Sequence, residues 1–446
     1  MKHFCKYMSL LALTLLLGLT WPAKSSAFTD VPADHWAYGS ISAMEQRGIA
    51  EGSGGTFRPA ESVSNQAFLA MVCRASGMDD RTLEKNWSAN PILAYGNFLG
   101  WFDRETELTD ESKALPITRE FAAKLLVEAF FPNEPLSHRE YTFTDGDEIN
   151  PAYKSYVNKA VQFGLINGYA DGSFAPKGTL TRAAAAALLD RTLKLTDEAP
   201  VGTPVQVPVL MYHDVSYLGS GYSKTPEQFE SQMRELKSAG FHTVSYAQLI
   251  DFVENGTPLP EKPIVITLDD GYRTNYEFVF PILQELDMKA EIALIGGAIQ
   301  YTNWGLKWDE VREMQQSGLV SFQAHTYQMH EDATSWGGRL GVLRADGEPW
   351  SRYVQTLSAD TMKILNTIEK ETGERPIAFT YPRGKWNHMA EALVTRLGCK
   401  VSVTTKDGIA KISQGDPASL HLMDRIGMDF RNGSVVEVLN AFGYKN

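Results

Sequence analysis

The chain has 446 residues, 43% of them hydrophobic and 11% aromatic, and a formal charge of −12. That length exceeds one ordinary domain and supplies ample material for a buried core. The acidic balance leaves no basic excess to displace counterions, so neither nucleic acid nor an anionic bilayer is expected as a partner.

Residues 1–27 read as an export signal. Lys2 and Lys6 make a basic start, Leu11 to Leu19 an apolar core, and Ser25-Ser26-Ala27 the small residues that a signal peptidase reads. The competing reading is an uncleaved amino-terminal anchor. The apolar run is too short to span a bilayer and no later run is long enough, so no transmembrane segment is expected. No cysteine follows the run for lipid attachment. Cleavage removes Lys2, Lys6 and Lys24 and no acid, leaving a charge of about −15. Cys5 departs with the signal. Cys73 and Cys399 fall in separate regions, which argues against a disulfide framework or a cysteine-based zinc site.

The next stretch repeats itself. Phe28-Thr29-Asp30, Trp36, Gly48-Ile49, Gly52, Phe57 and Pro59 return as Phe143-Thr144-Asp145, Tyr153, Gly164-Leu165-Ile166, Gly168, Phe174 and Pro176. A degenerate middle copy holds Trp87, Tyr95, Gly100-Trp101-Phe102 and Ile117-Thr118-Arg119-Glu120. Each unit reads as helix, glycine loop and helix, the second helix opened by a capping Ser or Thr. These motifs resemble the S-layer homology domain, a three-copy wall-anchoring module. The resemblance implies an all-α three-repeat bundle that binds a secondary cell-wall polymer, with copies at 28–80, 81–137 and 138–195. It also implies Arg119 and Arg182 as contacts for an anionic sugar group, since a guanidinium suits a planar carboxylate. Arginines that merely close the bundle are the alternative. Copy one has Asn65 in that place.

Residues 196–207 contain Pro200 and Pro204 without helical periodicity, the pattern of a linker. From Pro208 onward, apolar runs alternate with amphipathic segments. Strands are expected at 209–212, 242–245, 264–268, 291–295, 320–323, 377–380 and 400–403, and an eighth at 425–428. Helices are expected at 226–239, 275–286, 308–317 and 359–371. That alternation predicts a parallel α/β domain over 208–446, either a barrel or a doubly wound sheet. In both, chemistry gathers where strands end.

Four strands end in polar groups: His213-Asp214, Asp269-Asp270-Gly271, His325 with His330, and Tyr381-Pro382-Arg383-Gly384. Any one alone reads as a polar turn or loop. Together, two histidines and a carboxylate make a divalent-metal ligand set with open positions. The five-residue histidine spacing excludes a single helix face.

These ordered motifs resemble the polysaccharide deacetylase family, carbohydrate esterase family 4, over nearly all of residues 208–428. Met211-Tyr212-His213-Asp214-Val215 is similar to a subgroup that includes poly-β-1,6-N-acetylglucosamine deacetylases. The resemblance implies an irregular barrel of seven or eight β/α units. It implies a metal held by Asp270, His325 and His330, with zinc first and nickel, cobalt, iron or manganese as alternatives. Asp269 would be the general base, Arg383 would pair with it, and a backbone N–H near Tyr381 would help stabilise an oxyanion. His213 is the implied general acid, with His421 the competitor. Leu268 stands where the family has Phe, no Asp-Arg-x-Pro-Trp match is visible, and a glycine-rich stretch from Gly337 to Trp350 is a candidate cover for the site. The expected function is that of a secreted, wall-anchored N-deacetylase acting on an N-acetylated polysaccharide. The competing functions are an inactive wall-binding protein and an esterase of O-acetylated xylan-like glycans.

Overall fold

Helices α1 (Tyr38–Gln46), α2 (Asn65–Ala75), α3 (Asn90–Phe98), α4 (Arg119–Phe130), α5 (Lys154–Gln162) and α6 (Arg182–Thr196) build the amino-terminal part of the computed structural model. The structure describes residues 28–86, 88–132, 141–196, 201–219, 221–330 and 338–445. The expected signal and Trp87 lie outside the described residues. Helices α2, α4 and α6 open on a hydroxyl that accepts a backbone N–H: Ser64 from Ala67, Thr118 from Phe121, and Thr181 from Ala184. Each cap satisfies a donor that the first helical turn leaves over.

Just ahead of these caps, Val63, Ile117 and Leu180 bond head to tail in a ring. The N–H of Val63 donates to Leu180, that of Ile117 to Val63, and that of Leu180 to Ile117, at 3.0, 3.0 and 3.1 Å. All three residues are buried. The ring sets a pseudo-threefold axis, to which the degenerate middle copy contributes Ile117.

The Phe-Thr-Asp signatures also have a physical task. Asp30 accepts the N–H groups of Phe57 and Arg58, and Asp145 those of Phe174 and Ala175, all at 2.7 Å. Arg58 and Ala175 adopt left-handed φ of 59° and 52°, so each carboxylate secures a turn that its residue disfavours.

The carboxyl-terminal part is a closed barrel of seven parallel strands: β1 (Val209–Tyr212), β2 (Pro263–Leu268), β3 (Ala290–Leu294), β4 (Val320–Ala324), β5 (Ala378–Thr380), β6 (Val401–Asp407) and β7 (Met423–Gly427). Sequence neighbours pair, and β7 pairs back onto β1 through Ile426–Leu210 and Gly427–Met211. The barrel, not the open doubly wound sheet, is therefore the fold. The expected strand at 242–245 shrinks to His242–Thr243, which pairs with the start of β2 outside the ring. Helices α7 (Pro226–Ser238), α8 (Tyr246–Asn255), α9 (Phe280–Leu286), α10 (Trp308–Gln316), α11 (Trp350–Thr372), α12 (His388–Arg396) and α13 (Val435–Ala441) alternate with the strands or follow them. Helix α11 starts nine residues before the expected 359, because Trp350, Tyr353, Val354 and Leu357 continue its buried stripe.

The expected linker is partly structured. Val205–Val207 pairs antiparallel with Ala410–Ile412, while residues 197–200 lie outside the described residues. The bundle rests on the barrel where α3 meets α11, and the Trp350 indole donates to Glu84. Among the described residues, no helix is long and apolar enough to cross a membrane.

Replacing Asp145 with alanine removes the acceptor for two N–H groups at a left-handed turn. The loss should lower bundle stability by about 1–3 kcal/mol, read by denaturant unfolding of the full chain. An unchanged midpoint would refute the capping role.

Candidate active site

The apolar run of β2 ends at Asp269 and Asp270, both buried at the carboxyl rim of the barrel. Two adjacent buried carboxylates repel each other and lose hydration, so each needs its own source of positive charge. They find different ones.

Asp269 meets Arg425, which projects from the middle of β7 into the barrel and is fully buried. The pair is bidentate, with guanidinium nitrogens 2.8 and 2.7 Å from the two carboxylate oxygens. Arg425 also donates to the Thr404 carbonyl at 2.7 Å and to the Thr267 hydroxyl at 3.1 Å. Burial pushes the Asp269 carboxyl up, but the guanidinium outweighs it and holds the group below its ordinary value. Asp269 is thus an ionised acceptor in a desolvated site.

This corrects the expectation for Arg383. That residue is exposed, on a short turn (Pro382–Gly384) with a left-handed φ of 56°, and Arg425 makes the ion pair with Asp269 instead. At Tyr381 itself the backbone N–H donates to the Val403 carbonyl at 3.1 Å and the hydroxyl to Glu391 at 2.7 Å, so an oxyanion donor near Tyr381 would come from another N–H of that turn.

Asp270 faces two imidazoles. Nε2 of His325 and Nε2 of His330 each lie 3.4 Å from Oδ1 of Asp270, and the three ligand atoms lie within 4.8 Å of one another. Burial raises the Asp270 carboxyl, yet the two imidazoles more than reverse that and hold it well below the carboxylate range. His325 Nδ1 lies 2.7 Å from the Thr380 carbonyl, which can only accept, so Nδ1 carries the proton and Nε2 presents a lone pair. Oδ1 of Asp270 is buried with no hydrogen-bond partner. Metal–ligand bonds of about 2.0–2.2 Å in a tetrahedral shell set donor atoms about 3.4 Å apart. An orphaned carboxylate oxygen and two nitrogens at that spacing fit a divalent cation. Both Asp270 and Thr326, beside the ligands, hold left-handed φ of 74° and 70°, strain of the kind stored at functional sites.

His213 completes the cluster. Its Nε2 is 3.9 Å from Asp269, and its Nδ1 is 2.7 Å from Asp429. Burial lowers the imidazole, but Asp429 and Asp269 more than reverse it and raise it to about 9. His421 lies elsewhere. It precedes β7, and in a parallel barrel that end is opposite the rim where strands finish; its Nδ1 is 2.7 Å from Glu391.

A family model for polysaccharide deacetylase matches residues 256–402, and one for the S-layer homology domain matches residues 27–65 and 142–186. By these matches the barrel is similar to the polysaccharide deacetylases and the bundle to S-layer homology repeats. The chain is 31% identical over 209 residues to the poly-β-1,6-N-acetyl-D-glucosamine N-deacetylase of Escherichia coli K12, covering 42% of this chain. It spans only 31% of that relative's length. The enzyme of the same name from Staphylococcus aureus MRSA252 is 26% identical, covering 46% of this chain and 72% of the relative. Among solved structures, the Streptococcus pyogenes deacetylase PplD in complex with acetate is 25% identical, with a TM-score of 0.45 over 54% of this chain and all of that one. A de-N-acetylase from Aggregatibacter actinomycetemcomitans is 28% identical, with a TM-score of 0.46 over 53% of this chain and all of that one.

The two residues of the deacetylase barrel that sequence reasoning missed both come from β7. Arg425 interrupts an apolar strand, and a buried cation demands a carboxylate partner. Asp429 follows the strand's end, where the other strands had already been searched for polar groups. The described part of the glycine-rich stretch packs at the rim: Gly341 approaches so closely that a Cβ there would meet the Pro382 carbonyl at 3.1 Å. Arg339 and Glu348 form a buried ion pair behind it.

In the S-layer homology bundle, Arg119 and Arg182 occupy equivalent places between repeats. Arg119 donates to the carbonyls of Phe174 and Asn167, at 2.8 and 2.7 Å, and Arg182 to those of Phe57 and Glu51, both at 2.7 Å. Asn65 holds the third place and donates to the Ser112 carbonyl at 2.9 Å. The arginines therefore support the neighbouring glycine loops.

Replacing Arg425 with methionine leaves a buried carboxylate without its counter-charge. Stability should fall by about 3–5 kcal/mol, and the acid limb of any activity profile should move to higher pH. Arg383→Ala should do neither. Equal effects of the two replacements, measured by denaturant unfolding, would refute the assignment of the ion pair.

Proposed function

We propose that this protein is a metal-dependent polysaccharide N-deacetylase, secreted and held at the cell wall, which hydrolyses acetamido groups of an N-acetylglucosamine polymer. The observation that carries the reading is the division of labour between the two adjacent aspartates, one facing a cation-ready pair of imidazoles and the other locked on Arg425. A divalent cation bound by Asp270, His325 and His330, zinc first, supplies Lewis-acid activation of water and of the acetamide carbonyl. Asp269, kept ionised by Arg425, accepts the proton of the attacking water. His213, kept protonated by Asp429, donates a proton to the departing sugar amine. An amine is a poor leaving group until it is protonated, so the acid must hold its proton at working pH.

Exposed aromatic rings at the rim support a sugar polymer as substrate. Tyr222 lies beside His213, with ring centroids 5.5 Å apart, and packs edge-on against Phe430. On the β2–β3 side, Tyr272 packs against Trp304. Such rings offer apolar faces to the C–H face of a pyranose and leave its hydroxyls in water. Wall attachment rests on the S-layer homology repeats, with Arg119 and Arg182 as polymer contacts. Export rests on the signal pattern of residues 1–27.

Asp269→Asn should abolish acetate release from a β-1,6-linked N-acetylglucosamine oligomer while elemental analysis still finds bound metal. Full activity in that variant, or wild-type protein that takes up no divalent metal, would defeat the mechanism.

Asp429→Asn removes the hydrogen-bonded carboxylate that does most to raise His213 above its ordinary value, leaving the more distant Asp269. The protonated form then survives to a lower pH, so the alkaline limb of kcat should move down the pH scale. A limb that stays in place would exclude His213 as the acid.

The full chain should sediment with purified cell walls, and the joint replacement of Arg119 and Arg182 by alanine should reduce the sedimented fraction. Equal sedimentation of both proteins would remove the arginines from wall binding.

A further inference from the structure

The two imidazoles beside Asp270 are not held alike. His325 directly follows β4, and its Nδ1 lies 2.7 Å from the carbonyl of Thr380, the last residue of β5, so strand and hydrogen bond fix it together. His330 comes five residues later, beyond the strand, yet its Nε2 reaches the same Asp270 oxygen at the same 3.4 Å. The path of the chain from Thr326 to Met329 therefore decides where His330 stands.

The chain would not take that path unaided. Thr326 holds a left-handed φ of 70°, a conformation that a β-branched residue strongly disfavours. Three features outside the segment keep it there. Helix α11 presents Asp360, whose two carboxylate oxygens accept the N–H groups of Tyr327 and Gln328, each at 2.7 Å. Beyond the end of β3, the N–H groups of Gly296 and Gly297 donate to the carbonyls of Thr326 and Tyr327, at 3.0 and 2.7 Å. Both approaches need glycine: a Cβ on Gly296 would lie 2.5 Å from the Tyr327 ring, and one on Gly297 would lie 2.9 Å from the Tyr327 carbonyl oxygen. Lys363, one turn along α11 from Asp360, sets its ammonium 3.7 Å from the centroid of that ring. Of the three, only Asp360 brings a paired, charge-assisted acceptor to the turn. An acceptor of the same kind, Asp30 or Asp145, secures the left-handed Arg58 and Ala175 of the bundle.

We propose that Asp360 is a positioning residue for the metal centre, holding the turn at 326–329 so that Nε2 of His330 stands at ligand spacing from Asp270 and His325. The inference rests on the reading of Asp270, His325 and His330 as metal ligands. Both oxygens of Asp360 face backbone N–H groups, so it acts through the turn and not on the ion. His325 has its own support at Thr380, and Asp360 gives His330 the equivalent from another element. Removing a group that orients a metal ligand typically costs about 10–100-fold in metal affinity.

The test measures zinc affinity of the full chain by titration calorimetry, with a competing chelator where binding is tight. It compares wild type, Asp360→Asn, His330→Ala and the double variant. Asparagine keeps one acceptor oxygen and sets an amide N–H against the second backbone donor. Asp360→Asn should weaken zinc binding about 10–100-fold. The double variant should bind zinc no more weakly than His330→Ala alone, because both changes act through one ligand. A merely structural Asp360 would give losses that add. Gly296→Ala drives a methyl group into Tyr327 from the other side of the turn, and it should weaken zinc binding in the same non-additive way. That variant decides the matter if Asp360→Asn does not fold. Unchanged affinity, or losses that add with His330→Ala, would overturn the proposal and leave the metal ligands standing. Wild-type protein that takes up no zinc would defeat both.

Discussion

The carboxyl rim of the barrel depends on the ion pair between Asp269 and Arg425. Two carboxylates side by side at the end of a buried strand cannot both stay ionised without separate compensation. Arg425 reaches across from β7 and engages both oxygens of Asp269, so that charge is settled inside the protein. Asp270 turns the other way, towards His325 and His330, and its buried Oδ1, 3.4 Å from both imidazoles, accepts no hydrogen bond. The pair therefore splits into an internally neutralised acceptor and an open ligand. Barrel closure makes this division available, because β7 comes near β2 only through β1, the strand that seals the ring.

The same closure sets the position of His213. β1 lies between β2 and β7, so the imidazole at its end stands between Asp269 from one neighbour and Asp429 from the other. The two carboxylates raise its affinity for a proton, while burial alone would lower it. An imidazole that holds its proton beside an ionised carboxylate thus follows from strand order.

The bundle is governed by a different constraint. Its three repeats are joined by a backbone ring at Val63, Ile117 and Leu180, which asks nothing of side chains beyond burial. That explains how the middle copy tolerates so much divergence. Loops without the Phe-Thr-Asp signature still fold, because the axis is held by peptide groups, whereas the outer copies add a carboxylate that secures each left-handed turn.

Much was legible in the sequence because it rests on local chemistry. The helix caps, the repeat period, the strand–helix alternation and the polar groups at strand ends depend on neighbours close in the chain. Asp270, His325 and His330 were readable for that reason, as was His213 as a rim residue. The choice between an open sheet and a barrel was not, since it depends on whether the last strand meets the first. Nor was the partner of Asp269, because Arg383 follows one expected strand and Arg425 opens another, and sequence does not say which reaches the carboxylate. Only the fold shows that one is exposed on a turn and the other points into the barrel.

The two adjacent aspartates after a buried strand separate what is local from what is not. By itself the sequence determined that the pair needs positive charge, since like charges in a desolvated place repel whatever the fold. Tertiary structure alone decided where that charge comes from. Arg425, which meets Asp269, lies 156 residues away, and the imidazoles that frame a cation's place beside Asp270 lie 55 or more residues away at His325 and His330, separations that chain order cannot rank and barrel closure brings within a few ångströms.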